Sequence, residues 1–430
     1  MSGGPKIALV NLGCRVNRVE LDVMALRLQE AGCELCGERE ADAIVINTCA
    51  VTGEAQAKTR KAVRHAAGMP KRPIVVATGC VASLFPQELS ELGEDVFVET
   101  TKAQVPQVVV ERLESRGVFV HEDDAPKMET AESAHTTPTG RTRPGIKIQD
   151  GCNNRCTYCI VWKARGRSRS VDVSGVLRDI RAAQERGAHE VVLTGINLGN
   201  YRSKSDTGVV RLPGLLKTIL NETSVERVRL SSIEPPDVTD ELLSVMAAAG
   251  ERVAPFLHVC LQSGSDRTLR EMGRVYDTAA YAQVVQHARA YLPDLSLGTD
   301  LIVGFPGERE EDFLESLAFC EQMAFSKMHV FRYSRRPGTP AAERTDQIAP
   351  QVIAERSAWM LKLADQMRHE QAQMRVGKEE LVVVQSKGKG VTGGLFDAMV
   401  AKDAPVDSLV RVRVTGVAED ATLATERMEL

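Results

Sequence analysis

No stretch of the 430 residues approaches the ~18 consecutive apolar positions of a membrane span. The opening MSGGPKIALVNLGC has too short an apolar segment and too little basic lead-in for a secretory signal, and Leu12-Gly13-Cys14 fails as a lipoprotein cleavage site for the same reason. Net charge is only −4, so the chain as a whole gives no sign of nucleic-acid binding, and any such surface has to be local. No internal repeat is visible. These absences lead to the expectation of a cytoplasmic protein without membrane contact, in a compartment where thiols stay reduced. Histidine is also scarce, with 8 in all. Against that background the chain holds ten cysteines, three of them inside GCNNRCTYCI at 151–160: Cys152, Cys156 and Cys159.

Hydrophobic residues make up 43% and charged residues 26%, the balance of a globular protein whose length calls for two or three domains. Residues 6–12, 43–48 and 73–78 are short β-rich apolar runs separated by helical stretches, the pattern of a doubly wound parallel sheet. Residues 121–140 are polar and lack periodicity, as a linker or long loop does. The strand–helix alternation then resumes at 145–149, 190–194, 226–230, 256–261, 296–303 and 328–333, which predicts a full or partial β/α barrel. A long amphipathic helix is expected over 349–375, with Ile353, Trp359, Leu361, Leu363 and Met367 among its apolar members. Beyond it, LVVV at 381–384, the alternation at 410–414 and several glycines fit a small antiparallel β-barrel. The expected order is therefore α/β throughout the first two domains: 1–120, a linker 121–142, a barrel 143–371 and a β-barrel 372–430.

Three clustered cysteines are one short of a structural zinc site, and the nearest histidines, His135 and His189, are remote in sequence. An iron–sulfur cluster suits them better, since thiolates are its usual ligands and three of them leave one iron open to chelate a small molecule. Other cysteines repeat the theme. Cys14, Cys49 and Cys80 each follow one of the first three strands, 35 and 31 residues apart. Parallel strands bring equivalent ends to one edge, so these three thiols are expected to converge on a second cluster. Cys33, Cys36, Cys260 and Cys320 read as packing or surface thiols. Just past the barrel strands lie Gly195 and Asn197, Ser232 and Glu234, Gln262 and Ser263, and Gly304, with Asp300 in the strand before it. Strand ends are where barrel active sites form, and such residues can hold amino, carboxylate and ribose groups.

Cys-x3-Cys-x-Tyr-Cys, with Tyr158 before the last cysteine, resembles the signature of radical S-adenosylmethionine enzymes. With the triad at Cys14, Cys49 and Cys80 and the terminal β-barrel, which is like a TRAM domain, nearly the whole chain resembles the radical S-adenosylmethionine methylthiotransferases. The resemblance implies two 4Fe-4S clusters and S-adenosylmethionine as cofactors, with the central domain a radical-SAM partial barrel. It also implies a tRNA substrate and a reductase that supplies electrons; oligomeric state stays open. Gly13-Cys14-Arg15-Val16-Asn17 and Arg229-Leu230-Ser231-Ser232-Ile233-Glu234-Pro235 look like the branch that converts N6-threonylcarbamoyladenosine at tRNA position 37 to its 2-methylthio derivative. Branches that act on isopentenyladenosine tRNA or a ribosomal protein are the alternatives, and an electron-transfer protein without catalysis is a rival of another class. One departure stands beside the cluster: Trp162-Lys163 replace the family's usual Pro-Tyr.

A local RNA surface is expected around the clustered cysteines, because residues 141–169 hold eight basic side chains against Asp150 alone. Arg167, Arg169 and Arg335 are the candidate partners of a substrate carboxylate, through paired guanidinium hydrogen bonds. The β-barrel is less basic, with eight Lys/Arg and nine Asp/Glu over 372–430, and Phe396 is its one candidate for base stacking.

Overall fold

The computed structural model describes residues 4–119, 137–138, 140–205 and 208–428. Most of the expected linker, 121–136 and 139, lies outside them. The chain divides into two compact units, and the division is not a single cut. The first unit contains Met1–Gly140, Gly151–Asn153 and Cys159–Arg167; the second contains Arg141–Asp150, Asn154–Tyr158 and Ser168–Leu430.

In the first unit the strands are β1 (Lys6–Asn11), β2 (Glu34–Leu35), β3 (Ala43–Thr48), β4 (Ile74–Gly79) and β5 (Val96–Val98). The helices are α1 (Arg15–Glu30), α2 (Gly53–Ala67), α3 (Cys80–Leu84), α4 (Pro86–Ser90), α5 (Val105–Ser115) and α6 (Val161–Arg165). The sheet runs β2-β1-β3-β4-β5 with every pairing parallel. AIVINT and IVVATG are buried at every position, as central strands covered on both faces must be. Leu21, Met24 and Leu28 of α1 pack with Val105 and Val109 of α5 on one face. Val63 and Ala66 of α2 and Val81 of α3 cover the other, joined by Ile160 and Ala164 at and within α6. Strand order reverses between β1 and β3, which makes the rim there the switch point of the sheet.

The second unit carries two parallel sheets that follow one another in chain order. One joins Gly145–Lys147, Glu190–Thr194 and Arg227–Leu230; the other joins Ser232–Ile233, Phe256–Val259, Ser296–Val303 and Lys327–Arg332. Only Ser231 separates the two, so the strands make a partial barrel. Leu257, Val259, Leu297 and Leu301 point out to the helix layer, while Phe256, His258, Gly298 and Asp300 alternate to the inside. The long helix is Pro350–Gln373. Met360, Ala364 and Met367 form its buried stripe, but Trp359 and Leu361 are 64% and 45% exposed, one position either side of Met360 and thus off that stripe.

The last strands, Glu379–Ser386, Lys389–Thr392, Asp397–Met399, Leu409–Val417 and Leu423–Arg427, close a barrel, antiparallel apart from one parallel bridge between Ala398 and Leu423. Phe396 is fully buried in its core, so it offers no face to a base. This barrel seals the partial barrel at the N-terminal ends of its strands. Arg229 Nη1 donates to the Gly393 carbonyl at 2.6 Å and Arg227 Nη1 to that of Leu381 at 2.6 Å. Both guanidiniums also pair with Glu190, and all three side chains are almost wholly buried.

Candidate functional site

β1, β3 and β4 are successive neighbours in the first sheet, so their C-terminal ends share one rim, and one cysteine follows each. Cys14 is the N-cap of α1, Cys49 follows Thr48, and Cys80 opens α3 directly after Gly79, the residue paired with Thr48. Burial pushes the Cys49 thiol up to about 11, and the charges of Cys14 and Cys80 push the same way, which places the three within electrostatic reach of one another. The rim is held by a buried network. Cys14 Sγ donates to Asn17 Oδ1 (3.2 Å), Asn17 Nδ2 to Asn47 Oδ1 and the Thr48 carbonyl (both 2.9 Å), and Asn47 Nδ2 back to the Asn17 carbonyl (2.7 Å). The Thr48 hydroxyl donates to the Thr78 carbonyl (2.6 Å) and accepts from the Val81 and Ala82 amides. Glycine is required beside it: at Gly79, with φ +96°, a Cβ would lie 2.4 Å from the Thr48 carbonyl oxygen.

Behind this rim sits a charge cluster. Arg165 of α6 donates to Glu20 Oε1 and to Asn17 Oδ1, both at 2.9 Å, and Lys102 also pairs with Glu20. A buried cation hydrogen-bonded to Asn17 would suit thiolates on this rim, and a set of three thiols suits iron.

The clustered cysteines are shaped by glycine too. Gly151 has φ +71°, and a Cβ there would fall 2.1 Å from the Arg167 carbonyl oxygen. The Cys152 amide donates to the Gly166 carbonyl (3.1 Å), and Cys159 Sγ accepts from the Val161 amide (3.4 Å). Those contacts belong to the first unit. In the second, Arg274 Nη1 donates to Cys156 Sγ at 3.0 Å. The Arg274 guanidinium also pairs with Glu234 Oε1 (2.8 Å), and Asn154 Nδ2 donates to Glu234 Oε2 (3.0 Å). Glu234 thus steadies the segment around Cys156. Tyr158 packs with Met272, Phe305 and Ala341.

Among the other candidates, Gly195 and Asn197 share one turn. Gln149 Oε1 accepts from the Ile196 and Asn197 amides (both 2.9 Å), and a Cβ on Gly195 would meet that oxygen at 2.9 Å. The buried Asn197 Oδ1 and Ser231 Oγ have no hydrogen-bond partner among the described residues, as acceptors waiting for a ligand would not. Ser232 hydrogen-bonds Cys260. Gln262 adopts φ +72°, its backbone joined to Asp300 and Ile302. Ser263 is buried, its hydroxyl shared with Ser316 (3.2 Å) and accepting from the Ser265 amide (3.2 Å). The Gly304 amide donates to Glu308 Oε2 (2.7 Å), and its bare Cα admits Ile353. Asp300 lies between two histidines, His258 Nε2 at 3.1 Å and His329 Nδ1 at 3.0 Å. Its carboxyl falls below the ordinary carboxylate range, because the two rings together outweigh burial, the largest single influence.

Of the candidate arginines, Arg167 is exposed, Arg169 pairs with Asp150 at 2.7 Å, and Arg335 is exposed with Nε donating to the Ala342 carbonyl at 2.6 Å. Sequence reasoning missed Asn17, Gln149, Arg165 and Arg274. Asn17 stands in the 13–17 stretch, Gln149 ends the strand expected over 145–149, and Arg165 is one of the eight basic side chains of 141–169; Arg274 reaches Cys156 across 118 residues, which no local pattern reveals.

Residues 146–320 match the Radical SAM superfamily and residues 6–99 match the uncharacterized protein family UPF0004, the segments that carry the two triads. The threonylcarbamoyladenosine tRNA methylthiotransferase MtaB of Aquifex aeolicus is 35% identical over 418 residues, 95% of this chain and 100% of the relative. The chain belongs to the radical S-adenosylmethionine methylthiotransferase family. It is therefore a transferase whose cofactors are S-adenosylmethionine and 4Fe-4S clusters. The ribosomal protein uS12 methylthiotransferase RimO of Desulforudis audaxviator is 34% identical, covering 96% of this chain and 94% of its own. Among solved structures, the radical S-adenosylmethionine methyltransferase TsrM from Kitasatospora setae, with cobalamin and a [4Fe-4S] cluster bound, shares the fold at TM-score 0.54 and 17% identity, over 79% of this chain and 77% of that one. No helix among the described residues of this methylthiotransferase is long and apolar enough to cross a membrane.

Proposed function

We propose that this methylthiotransferase acts on tRNA in the cytoplasm, replacing the C2–H of N6-threonylcarbamoyladenosine at position 37 with a methylthio group, with electrons from a reductase. The observation that carries this reading is the match to the MtaB relative over that relative's full length. A protein substrate is the second reading, favoured by the RimO relative at similar identity. In this assignment Cys152, Cys156 and Cys159 hold the cluster that binds S-adenosylmethionine, and Cys14, Cys49 and Cys80 hold a second one. The target C–H is not acidic, so general acid–base groups cannot activate it at neutral pH. When bound, the cofactors supply one-electron chemistry strong enough to break that bond, together with the sulfur and the methyl group.

The residues of the chain position and shield. Arg274 fixes the Cys156 sulfur and Glu234 together, and Gln149 fixes the Gly195–Asn197 turn. Asn197 Oδ1 and Ser231 Oγ would then accept from the amino or hydroxyl groups of S-adenosylmethionine. Arg335 is the favoured partner of the threonylcarbamoyl carboxylate, because Nε is already anchored while the side chain stays exposed. Arg169 spends part of its guanidinium on Asp150.

The test compares methylthiolation of threonylcarbamoylated and unmodified tRNA by nucleoside mass spectrometry. The wild type should prefer the modified tRNA. Arg335→Ala should lose most of that preference, at a cost on the order of 1–3 kcal/mol for an unpaired carboxylate. Equal wild-type activity on both tRNAs would exclude this substrate.

A further inference from the structure

Three adjacent parallel strands place three metal-ligating side chains side by side on the inner face of the partial barrel. His258 comes from Phe256–Val259, Asp300 from Ser296–Val303 and His329 from Lys327–Arg332. Register keeps them level: Asp300 is paired with His329, and His258 with Gly298, two residues before Asp300 and therefore on the same face. One ligand atom from each lies within 4.8 Å of the others, and the two rings stand 5.5 Å apart, centroid to centroid.

A simple ion pair accounts poorly for this arrangement. Both histidines approach the same oxygen, Asp300 Oδ1, at 3.1 and 3.0 Å. His258 is only 6% exposed, yet its Nε2 makes no well-directed hydrogen bond among the described residues. A buried ring nitrogen set off the hydrogen-bond line is costly, unless its lone pair serves something else. The separations suit a shared ion. Two ligands each about 2.1 Å from a metal stand about 3 Å apart when adjacent in an octahedron and about 4.2 Å when opposite. Two imidazoles and one carboxylate with further positions open form the donor set of mononuclear first-row metal centres.

We propose that His258, Asp300 and His329 form a binding site for one divalent first-row transition-metal ion, separate from the cysteine triads. His329 is 49% exposed and Asp300 24%, so the ion has a route in, and water or an anionic oxygen can complete its coordination from the barrel interior. The ion would tie together three strands whose inner face already carries the Asp300 pairs with His258 and His329.

The test uses the full chain, anaerobically reconstituted with its clusters in the oxidised, diamagnetic state, and Mn2+ as the probe. Titration followed by electron paramagnetic resonance should show one bound Mn2+ per chain, with pulsed spectra carrying nitrogen couplings from imidazole. Zn2+ should displace it. His329→Gln, at an exposed position, should weaken binding more than about 10-fold, the loss that follows removal of even a supporting partner of a ligand. Asp300→Asn should do the same, and unchanged iron content in each variant shows that the fold and clusters survive. Bound Mn2+ without nitrogen coupling, or wild-type affinity in His329→Gln, overturns the site. Neither result bears on whether tRNA is the substrate.

Discussion

At the scale of single residues, the second triad depends as much on what lacks a side chain as on the cysteines. Gly79 combines a left-handed φ with a Cβ position only 2.4 Å from the Thr48 carbonyl oxygen. Gly117 has a similar φ, +76°, but nothing within 4 Å. Gly79→Ala should therefore move the β4 terminus and Cys80 with it, while Gly117→Ala carries only the backbone strain of about 1–3 kcal/mol. If Cys80 is a ligand, reconstituted Gly79→Ala should hold about four irons per chain in place of about eight, since each cubane holds four. It should still cleave S-adenosylmethionine. Full iron content in that variant would count against the N-terminal cluster. Gly117→Ala should keep both clusters.

At the scale of elements, the floor of the partial barrel is electrostatic. Glu190 pairs with Arg227 and Arg229 from the neighbouring strand, and those arginines reach carbonyls of the terminal β-barrel. Burial works against the Glu190 carboxylate more than any single partner helps it, yet the arginines together hold it well below the ordinary range. A depressed folded pKa means this stabilisation is present above the unfolded value of about 4.3 and is lost as pH falls below it. Glu190→Gln should lower stability by about 3–5 kcal/mol at pH 7, because two buried cations lose their partner. It should also flatten the decline between pH 7 and pH 3. Urea unfolding midpoints at several pH values measure both effects, and parallel curves for the two proteins would contradict the assignment. This floor also marks where sequence reading stopped. The strands were legible because buried parallel strands need continuous β-branched runs, and AIVINT or SLGTDLIV can do little else. Arg229, in contrast, stands in RLSSIEP as part of a substrate-branch signature, yet it serves the end of the barrel that meets the terminal β-barrel. Spacing places a residue on a strand, but which end of the barrel it serves depends on partners 163 and 164 residues away. Trp359 and Leu361 show the same limit, since apolar character alone did not tell the buried stripe of their helix from its outer face.

At the scale of the whole molecule, the first unit is discontinuous in sequence. α6 lies beyond the expected linker, yet Ile160 and Ala164 complete the core over β3 and β4, and Arg165 neutralises Glu20. A protease cut within 121–136 should thus leave two fragments that travel together in gel filtration. Ile160→Asp combined with Ala164→Arg should let the nicked fragments separate, whereas separation of the nicked wild type would show that α6 contributes little. The same threading bears on how such enzymes are recombined. A chimera that exchanges only the first 120 residues between two relatives would pair each sheet with a foreign closing helix, and Glu20 with whatever side chain that helix carries in place of Arg165. The structural module is the sheet with its helices plus two inserts carried inside its neighbour's stretch of chain, Gly151–Asn153 and Cys159–Arg167. A graft that respects that border should carry the N-terminal chemistry with it, and one drawn along the linker should not.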